Sequence, residues 1–245
     1  MIITGGTTNY GAEIGIIMLD TIFPRIVGDI GNAGTFSFPV RYKTVHRAFP
    51  TKVVLENDAA LLSGFIAAAR ELEAEGVRAL TTSCGFLAVY QQELAAAVSI
   101  PVFASSLLQV PLVERMIAPN RKVVIVTAHK GKLSSRHLLG TGITGEPPVI
   151  VGMEEKPEFY QTFVMQKTTM DLDKVREEVE ETACKIKENY REAGAIILEC
   201  TNLPPFRSIF QRVTGLPVFD ITTLVNYIHH SLNWTRQVDT GRMHV

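Results

Sequence analysis

The sequence predicts an α/β protein made of two similar lobes, each with a parallel sheet, and a site in the cleft between the lobes. Three observations lead to this fold class. Short β-branched apolar runs alternate with longer amphipathic stretches, as in β-α units. Part of the second half of the chain aligns with part of the first half. The 245 residues are also enough for two lobes that each bury a core.

Eight apolar runs are the candidate strands. Each is rich in β-branched or aromatic residues and is followed by turn or helix signals, which is typical of strands in parallel sheets. The runs span residues 13–19, 40–45, 78–83, 101–105, 122–128, 148–153, 195–199 and 217–221.

Two longer stretches between these runs are the clearest helices. The first lies within residues 56–76, with Asn57 and Asp58 as capping candidates and Gly76 as its end. The second begins after the cap Asp171, carries an apolar stripe at three- and four-residue steps, and is expected to end at Gly194.

The chain also contains an internal repeat. A shift of 116 residues aligns residues 79–108 with residues 195–224 without a gap. Seven aligned pairs are identical, and Cys84 is paired with Cys200. About two identities are expected by chance at average residue usage, so a duplicated lobe is the better explanation.

The repeat suggests a division into two pseudo-symmetric lobes of the Rossmann-like or flavodoxin-like type. We expect residues 1–118 together with residues 222–245 to form the first lobe, which carries Cys84. Residues 119–221 would form the second lobe, which carries Cys200. The active site would then lie in the cleft between the lobes.

Cys84 and Cys200 each follow the end of a candidate strand. Ligands of open parallel sheets bind beyond the carboxyl ends of the strands, where helix N-termini favour negative charge. We therefore expect both thiols to face the cleft and their thiolate forms to be favoured. Two thiols on opposite sides of a ligand suit racemisation, in which one removes a proton and the other returns a proton to the opposite face.

The motifs around these cysteines resemble the cofactor-independent aspartate/glutamate racemase superfamily, which also includes hydantoin racemases, maleate isomerases and arylmalonate decarboxylases. The resemblance rests on the paired strand-end cysteines, on the Glu-Cys-Thr of the second motif and on the Leu-Asp-Thr after the first strand. It implies that Cys84 and Cys200 are the acid-base pair. It also implies that the substrate is bound by Asp20, Thr21, Thr127 and Thr201.

The sequence departs from the superfamily after the first cysteine. Amino-acid racemases typically have Asn-Thr there, whereas Gly85 and Phe86 follow Cys84 in this chain. Glycine lets backbone approach a ligand and phenylalanine makes one wall apolar, which favours a substrate other than aspartate or glutamate. We expect Asn202 to supply a polar group from the other lobe.

The positions of five further residues in the pattern suggest their roles. Strand alternation predicts that Glu199 points to the face opposite Cys200, where it would form a structural ion pair or tune the thiol. His129 follows a strand end, where it would bind a carboxylate, assist proton transfer or lie in a surface loop. Cys184 is expected to be a core residue on a helix flank. Arg25, like Arg47, would meet an acidic substrate or lie at the surface.

Composition excludes several classes of protein. A net charge of -1 provides no basic field for nucleic acid. Three cysteines make no disulfide framework, and neither a signal peptide nor a run of ~18 apolar residues is present, so we expect a cytoplasmic protein without a membrane segment. No CxxC, HExxH, Walker or dinucleotide fingerprint occurs, which predicts no metal and no cofactor. The expected partners are a small carboxylate-bearing substrate and a second copy of the chain in a homo-oligomer.

The residues therefore favour a cofactor-independent racemase or epimerase of an amino acid or a related carboxylate or carbonyl compound. Three alternatives stay open at this point. One is a maleate-isomerase-like enzyme or a decarboxylase with a single nucleophilic cysteine, and another is a non-catalytic protein that binds a small molecule. A thiol redox switch is the third, and it requires the two sulfurs to reach disulfide distance.

Overall fold

The chain folds into two four-stranded sheets flanked by helices. The structure is a computed structural model and describes residues 6, 8 and 10–232. Each of the eight predicted runs supplies one strand. The strands are β1 (Ile14–Leu19), β2 (Val40–Val45), β3 (Ala79–Thr82), β4 (Val102–Phe103), β5 (Lys122–Thr127), β6 (Val149–Gly152), β7 (Ala193–Leu198) and β8 (Val218–Phe219).

The two sheets have the same topology. The strand order is β2-β1-β3-β4 in the first sheet and β6-β5-β7-β8 in the second, and every pairing is parallel. This confirms the predicted α/β class with two pseudo-symmetric lobes. In this order the chain crosses over between β1 and β3, and between β5 and β7, so a binding crevice is expected at the carboxyl ends of these strands.

Eight α-helices cover the sheets within the described part of the chain. They are α1 (Leu62–Ala74), α2 (Gln91–Ala97), α3 (Val110–Met116), α4 (Ser135–Gly140), α5 (Pro157–Phe163), α6 (Leu172–Asn189), α7 (Arg207–Thr214) and α8 (Ile221–Leu232). Among these residues, no helix combines the length and apolar character that crossing a membrane would require.

Helix α1 begins later than the sequence predicts. Asn57 adopts a left-handed conformation with φ of 51°, and this ends a short π-helical turn over Thr51–Glu56. Asp58 does act as a cap, because its side chain accepts a hydrogen bond from the Ala60 N–H at 3.0 Å, but it caps a 3₁₀ turn that leads into α1. Gly76, with φ of 90°, closes the segment as expected.

Helix α6 begins at its predicted cap, where the Asp171 carboxylate accepts a hydrogen bond from the Lys174 N–H at 3.2 Å. The predicted end at Gly194 is wrong, because the helix stops at Asn189 and Gly194 lies inside β7. A Cβ on Gly194 would lie 2.7 Å from the Cβ of Arg121. The glycine therefore allows two chain segments to approach each other and does not serve as a helix stop.

The largest buried cluster joins the two lobes. It combines side chains of the first sheet, such as Ile17 and Leu80, with Ile125 and Ile197 of the second sheet. Helix α8 packs against the first sheet, where Val225 and its neighbours contact the outer face of β1. The proposed lobe boundaries stay a prediction, and residues 233–245 of the expected first lobe lie outside the described residues.

Candidate active site

A partly open cavity of about 30 Å³ lies between the lobes, beyond the carboxyl ends of the central strands. The apolar part of its wall is formed by Leu19, Phe23, Pro50, Val54, Phe86, Ala128, Phe163 and Val164. The remainder is formed by Thr21, Arg25, Ser83, Cys84, Gly85, Glu199, Cys200, Thr201 and Asn202.

The cavity brings together most of the residues that the sequence singled out. They are Thr21, Cys84, Gly85, Phe86, Cys200, Thr201 and Asn202. Asp20, Thr127 and His129 are not part of the lining. The chemical roles of all these residues stay predictions, but the two cysteines do meet at one site.

Cys84 follows β3 in an extended conformation and is buried. The backbone N–H groups of Phe86 and Leu87 act on its sulfur and lower its pKa, which is the effect expected at a helix N-terminus. Burial and the charge of Glu199 outweigh these groups and raise the pKa of the Cys84 thiol to about 12. The expected preference for the thiolate is therefore wrong for Cys84 in this structure.

Cys200 is buried to the same extent, with 8% of its surface exposed. Its sulfur donates a hydrogen bond to Oδ1 of Asn202 over 3.7 Å. Burial, followed by the charge of Glu199, raises the pKa of this thiol well above its usual value. Both thiols are consequently protonated at neutral pH in this structure.

Glu199 lies in the cavity wall with Cys200, so the prediction that it points to the opposite face is wrong. Strand β7 ends at Leu198, so the alternation of side chains along a strand no longer applies at Glu199. The carboxylate is fully buried and accepts a 2.7 Å hydrogen bond from Oγ1 of Thr127 through Oε2. Burial raises the pKa of Glu199 to about 7, and the Thr127 hydrogen bond opposes that rise.

The expected structural ion pair of Glu199 is also wrong. No lysine, arginine or histidine among the described residues lies within ion-pair distance of its carboxylate. The carboxylate instead lies against Gly85, where a Cβ would overlap both Oε1 and the main-chain oxygen of Glu199. Gly85 is therefore the residue that makes room for a buried carboxylate beside the first thiol.

Arg25 is the cation of the cavity. One guanidinium nitrogen pairs with Asp29, another donates to Oγ1 of Thr21 at 3.0 Å, and the group lies 4.5 Å above the ring of Phe23. Asp29 in turn accepts a 2.7 Å hydrogen bond from Nδ2 of Asn202. Arg25 and Asp29 of the first lobe are thus linked to Asn202 of the second cysteine motif. The sequence alone did not decide whether Arg25 faces the substrate or lies at the surface.

Hydrogen bonds also join the two cysteine motifs directly. Oγ1 of Thr201 donates to the carbonyl oxygen of Ser83 at 2.6 Å, and Oγ of Ser106 donates to the carbonyl oxygen of Leu198 at 2.8 Å. The hydroxyl of Thr201, which the resemblance assigns to the substrate, is engaged in holding the lobes together.

The remaining candidates lie away from the lining. Asp20 accepts a 2.8 Å hydrogen bond from the N–H of Arg47, and the ring of His129 lies 3.8 Å from Glu154. Cys184 is exposed, so its assignment to the core is wrong, because the buried stripe of α6 passes through neighbouring positions. Within the residues that the structure describes, no cluster of three or more His, Cys, Asp or Glu side chains could hold a metal ion.

Known proteins are similar to this chain in sequence and in fold. Dimethylsulfoniopropionate lyase 7 of Emiliania huxleyi (strain CCMP1516) is 32% identical over 224 residues, which are 87% of this chain and 65% of that enzyme. The dimethylsulfoniopropionate lyase of Durusdinium sp. clade D is 30% identical over 216 residues, which are 85% of this chain and 71% of that enzyme. This chain thus spans just under two thirds of the length of the Emiliania enzyme.

A solved structure extends the comparison to the fold. Allantoin racemase from Klebsiella pneumoniae superimposes with a TM-score of 0.56 at 16% identity, covering 84% of this chain and 82% of that one. At this identity the likeness shows the fold alone. The family model for Asp/Glu/Hydantoin racemase matches residues 55–225, which include both cysteine motifs. The chain therefore belongs to the Asp/Glu/hydantoin racemase family.

Proposed function

We propose that this chain is a cofactor-independent lyase that removes the proton next to the carboxylate of a small sulfonium carboxylate and releases a neutral sulfide. Dimethylsulfoniopropionate is the substrate that the names of the relatives suggest. The observation that carries the proposal is the pairing of two strand-end thiols with a largely apolar wall in one cavity.

The chemistry begins with a carbon acid. A thiolate removes the proton on the carbon next to the substrate carboxylate, and the new electron pair forms a carbon–carbon double bond as the carbon–sulfur bond breaks. Dimethyl sulfide leaves with the electrons of that bond, and acrylate remains. Arg25 supplies the positive charge that would hold the carboxylate and stabilise the charge that develops on it.

The wall composition favours elimination over amino-acid racemisation. Phe23, Phe86 and Phe163 line the cavity, and aromatic rings bind ligand cations such as a sulfonium group. Elimination turns the sulfonium cation into a neutral sulfide and the thiolate into a thiol. The apolar wall solvates both charges poorly, so their loss is favourable there. Gly85 and Phe86 also replace the Asn-Thr with which amino-acid racemases of the family hold their substrates.

Gas chromatography of released dimethyl sulfide tests the proposal. We expect the wild type to release the sulfide from dimethylsulfoniopropionate, and the substitution that removes the basic thiol, Cys84→Ser or Cys200→Ser, to reduce the rate by at least 100-fold. Cys184→Ser is the matched control, because this thiol is exposed on α6, and it should retain the wild-type rate. Absence of sulfide from the wild type, or full activity of both buried-cysteine variants, would contradict the proposal.

Racemisation or epimerisation by the two thiols is the second candidate, and the presence of a second thiol in the same cavity favours it. Proton NMR in deuterium oxide distinguishes the two functions. Single enantiomers of amino acids and hydantoins would exchange their α-proton and lose optical purity in a racemase, with dependence on both Cys84 and Cys200. A lyase would leave this panel unchanged.

A further inference from the structure

Glu199 is the buried group of the cleft to which neither the motifs nor the family comparison gives a task. Its Oε2 accepts a hydrogen bond from Thr127, but its Oε1 has no hydrogen-bond partner among the described residues. Buried polar atoms are satisfied in the great majority of cases, and an unpaired carboxylate oxygen is strongly unfavourable. An atom of this kind beside two thiols indicates a proton acceptor.

The surroundings of the two thiols favour different protonation states. The sulfur of Cys84 is faced by the N–H groups of Phe86 and Leu87, which stabilise negative charge. The sulfur of Cys200 is faced by a single backbone N–H, that of Asn202, and donates its own proton to Oδ1 of the same residue. Cys84 is therefore the thiol that becomes a thiolate, whereas Cys200 stays protonated.

We propose that Glu199 accepts the proton of the Cys84 thiol, and that Gly85 is present because only glycine admits the carboxylate at this place. The S–H bond of Cys84 breaks, an O–H bond forms at Oε1 of Glu199, and one negative charge moves from the carboxylate to the sulfur. No oxidant, metal or second substrate takes part. What the thiolate then does to a substrate rests on the proposed function, but the proton transfer itself does not.

The charged and titratable groups around Glu199 agree with this assignment. Its carboxylate raises the pKa of both Cys84 and Cys200, while the charge of Arg25 lowers the pKa of Cys84 and that of Asp29 raises the pKa of Cys200. With a pKa of about 7, Glu199 changes charge near neutral pH, whereas the Cys84 thiol does so at about 12. Protonation of Glu199 removes the negative charge that opposes the thiolate.

Glu199→Gln gives the proposal a signature that a structural role would not produce. The amide keeps the shape but removes the charge, so Cys84 should react with iodoacetamide at lower pH than in the wild type. Catalysis should nevertheless fall about 100-fold, because the thiol loses its proton acceptor. Thr127→Val is the companion variant: it removes a hydrogen bond that lowers the pKa of Glu199, so the rise of activity with pH should move to higher pH.

The experiment combines two measurements that need no substrate with one that does. Infrared spectra over a pH series should show one carboxylic-acid C=O band that disappears with a midpoint near 7. The band should be absent from Glu199→Gln and should titrate at higher pH in Thr127→Val. Alkylation of Cys84, located by mass spectrometry, and kcat/KM against pH complete the set.

Either of two results obtained without substrate would overturn the proposal: a band that does not titrate near neutral pH, or equal Cys84 alkylation profiles in the wild type and Glu199→Gln. If the infrared and alkylation results are as expected while dimethylsulfoniopropionate is not cleaved, the proposed lyase function fails and the role of Glu199 stands. If cleavage occurs and Glu199→Gln retains the wild-type kcat/KM profile, the lyase function stands and the proton-acceptor role fails.

Discussion

The hydroxyl of Thr201 donates a 2.6 Å hydrogen bond to the main-chain oxygen of Ser83, and this contact joins the residue after one cysteine to the residue before the other. Both residues are buried, so neither partner can turn to water instead. The distance between the two motifs is thereby fixed at the point where both thiols meet the cavity.

Thr201→Val should lower the free energy of unfolding by about 1 to 3 kcal/mol, because the Ser83 carbonyl oxygen would stay buried without a donor. Urea denaturation measures this change. Thr201→Ser retains the hydroxyl and is the control, with a smaller loss that reflects only the missing methyl group. Equal stability of the valine variant and the wild type would show that the hydrogen bond does not hold the lobes.

Gly85→Ala should destabilise the protein by about 1 to 3 kcal/mol, because its Cβ would overlap the carboxylate and the main-chain oxygen of Glu199. The loss should be smaller in a Glu199→Ala background, where only the main-chain overlap remains. Thermal or urea denaturation of the four proteins of this double-mutant cycle gives the coupling energy. Strict additivity would mean that the two side-chain positions do not contact each other.

Arg25→Gln should raise KM for a carboxylate substrate by about 10- to 100-fold, since a charge-assisted hydrogen bond contributes about 1.5 to 3 kcal/mol. Steady-state kinetics with the substrate of the wild type measures the effect, and circular dichroism checks that the variant is folded. Arg47→Gln is the matched control, because Arg47 is not part of the cavity lining. A KM that rises equally in both variants would assign the effect to overall charge.

The stability of the protein should depend on pH through Glu199. The folded state raises the pKa of this carboxyl from 4.5 to about 7, so the folded protein binds the proton more tightly than the unfolded chain. The resulting stabilisation is complete below pH 4.5 and is lost as the pH rises through about 7. Glu199→Gln lacks this dependence, so its stability relative to the wild type should increase by about 3 kcal/mol between pH 4 and pH 8.

Denaturation of both proteins at each pH measures that difference, and subtraction removes the contributions of groups that the two proteins share. His137 is such a group, because burial lowers its pKa to about 4 in both. A difference in stability that does not change with pH would mean that Glu199 titrates alike in the folded and unfolded states.

Local patterns were sufficient to predict the strands, the repeat and the meeting of the two cysteines. Each of these depends on short runs of sequence and on the general rule that strand ends form the site. Cys84 and Cys200 could be paired because the repeat places them at equivalent positions. The ends of helices were less predictable. A glycine such as Gly194 looks the same in the sequence whether it ends a helix or allows a strand to pack closely against Arg121.

The electrostatic character of the site could not be predicted from such patterns. The direction of the Glu199 side chain depends on Gly85, which is far away in sequence, and on the end of β7 one residue earlier. The place of Arg25 depends on its pairing with Asp29, which in turn binds Asn202 of the other lobe. The raised pKa of each thiol follows from burial by residues of both lobes, which no local motif records.

The alignment of the two halves pairs Ser83 with Glu199 and Gly85 with Thr201, yet the contacts cross, since Glu199 meets Gly85 and Thr201 meets Ser83. Two copies of the second motif would place glutamate against threonine at both contacts, whereas two copies of the first would place serine against glycine. The pairing of a buried carboxylate with a glycine therefore requires two different motifs. The cleft is asymmetric as a result, because the two sulfurs have different neighbours. A ligand bound between them would meet different groups if it were turned end to end.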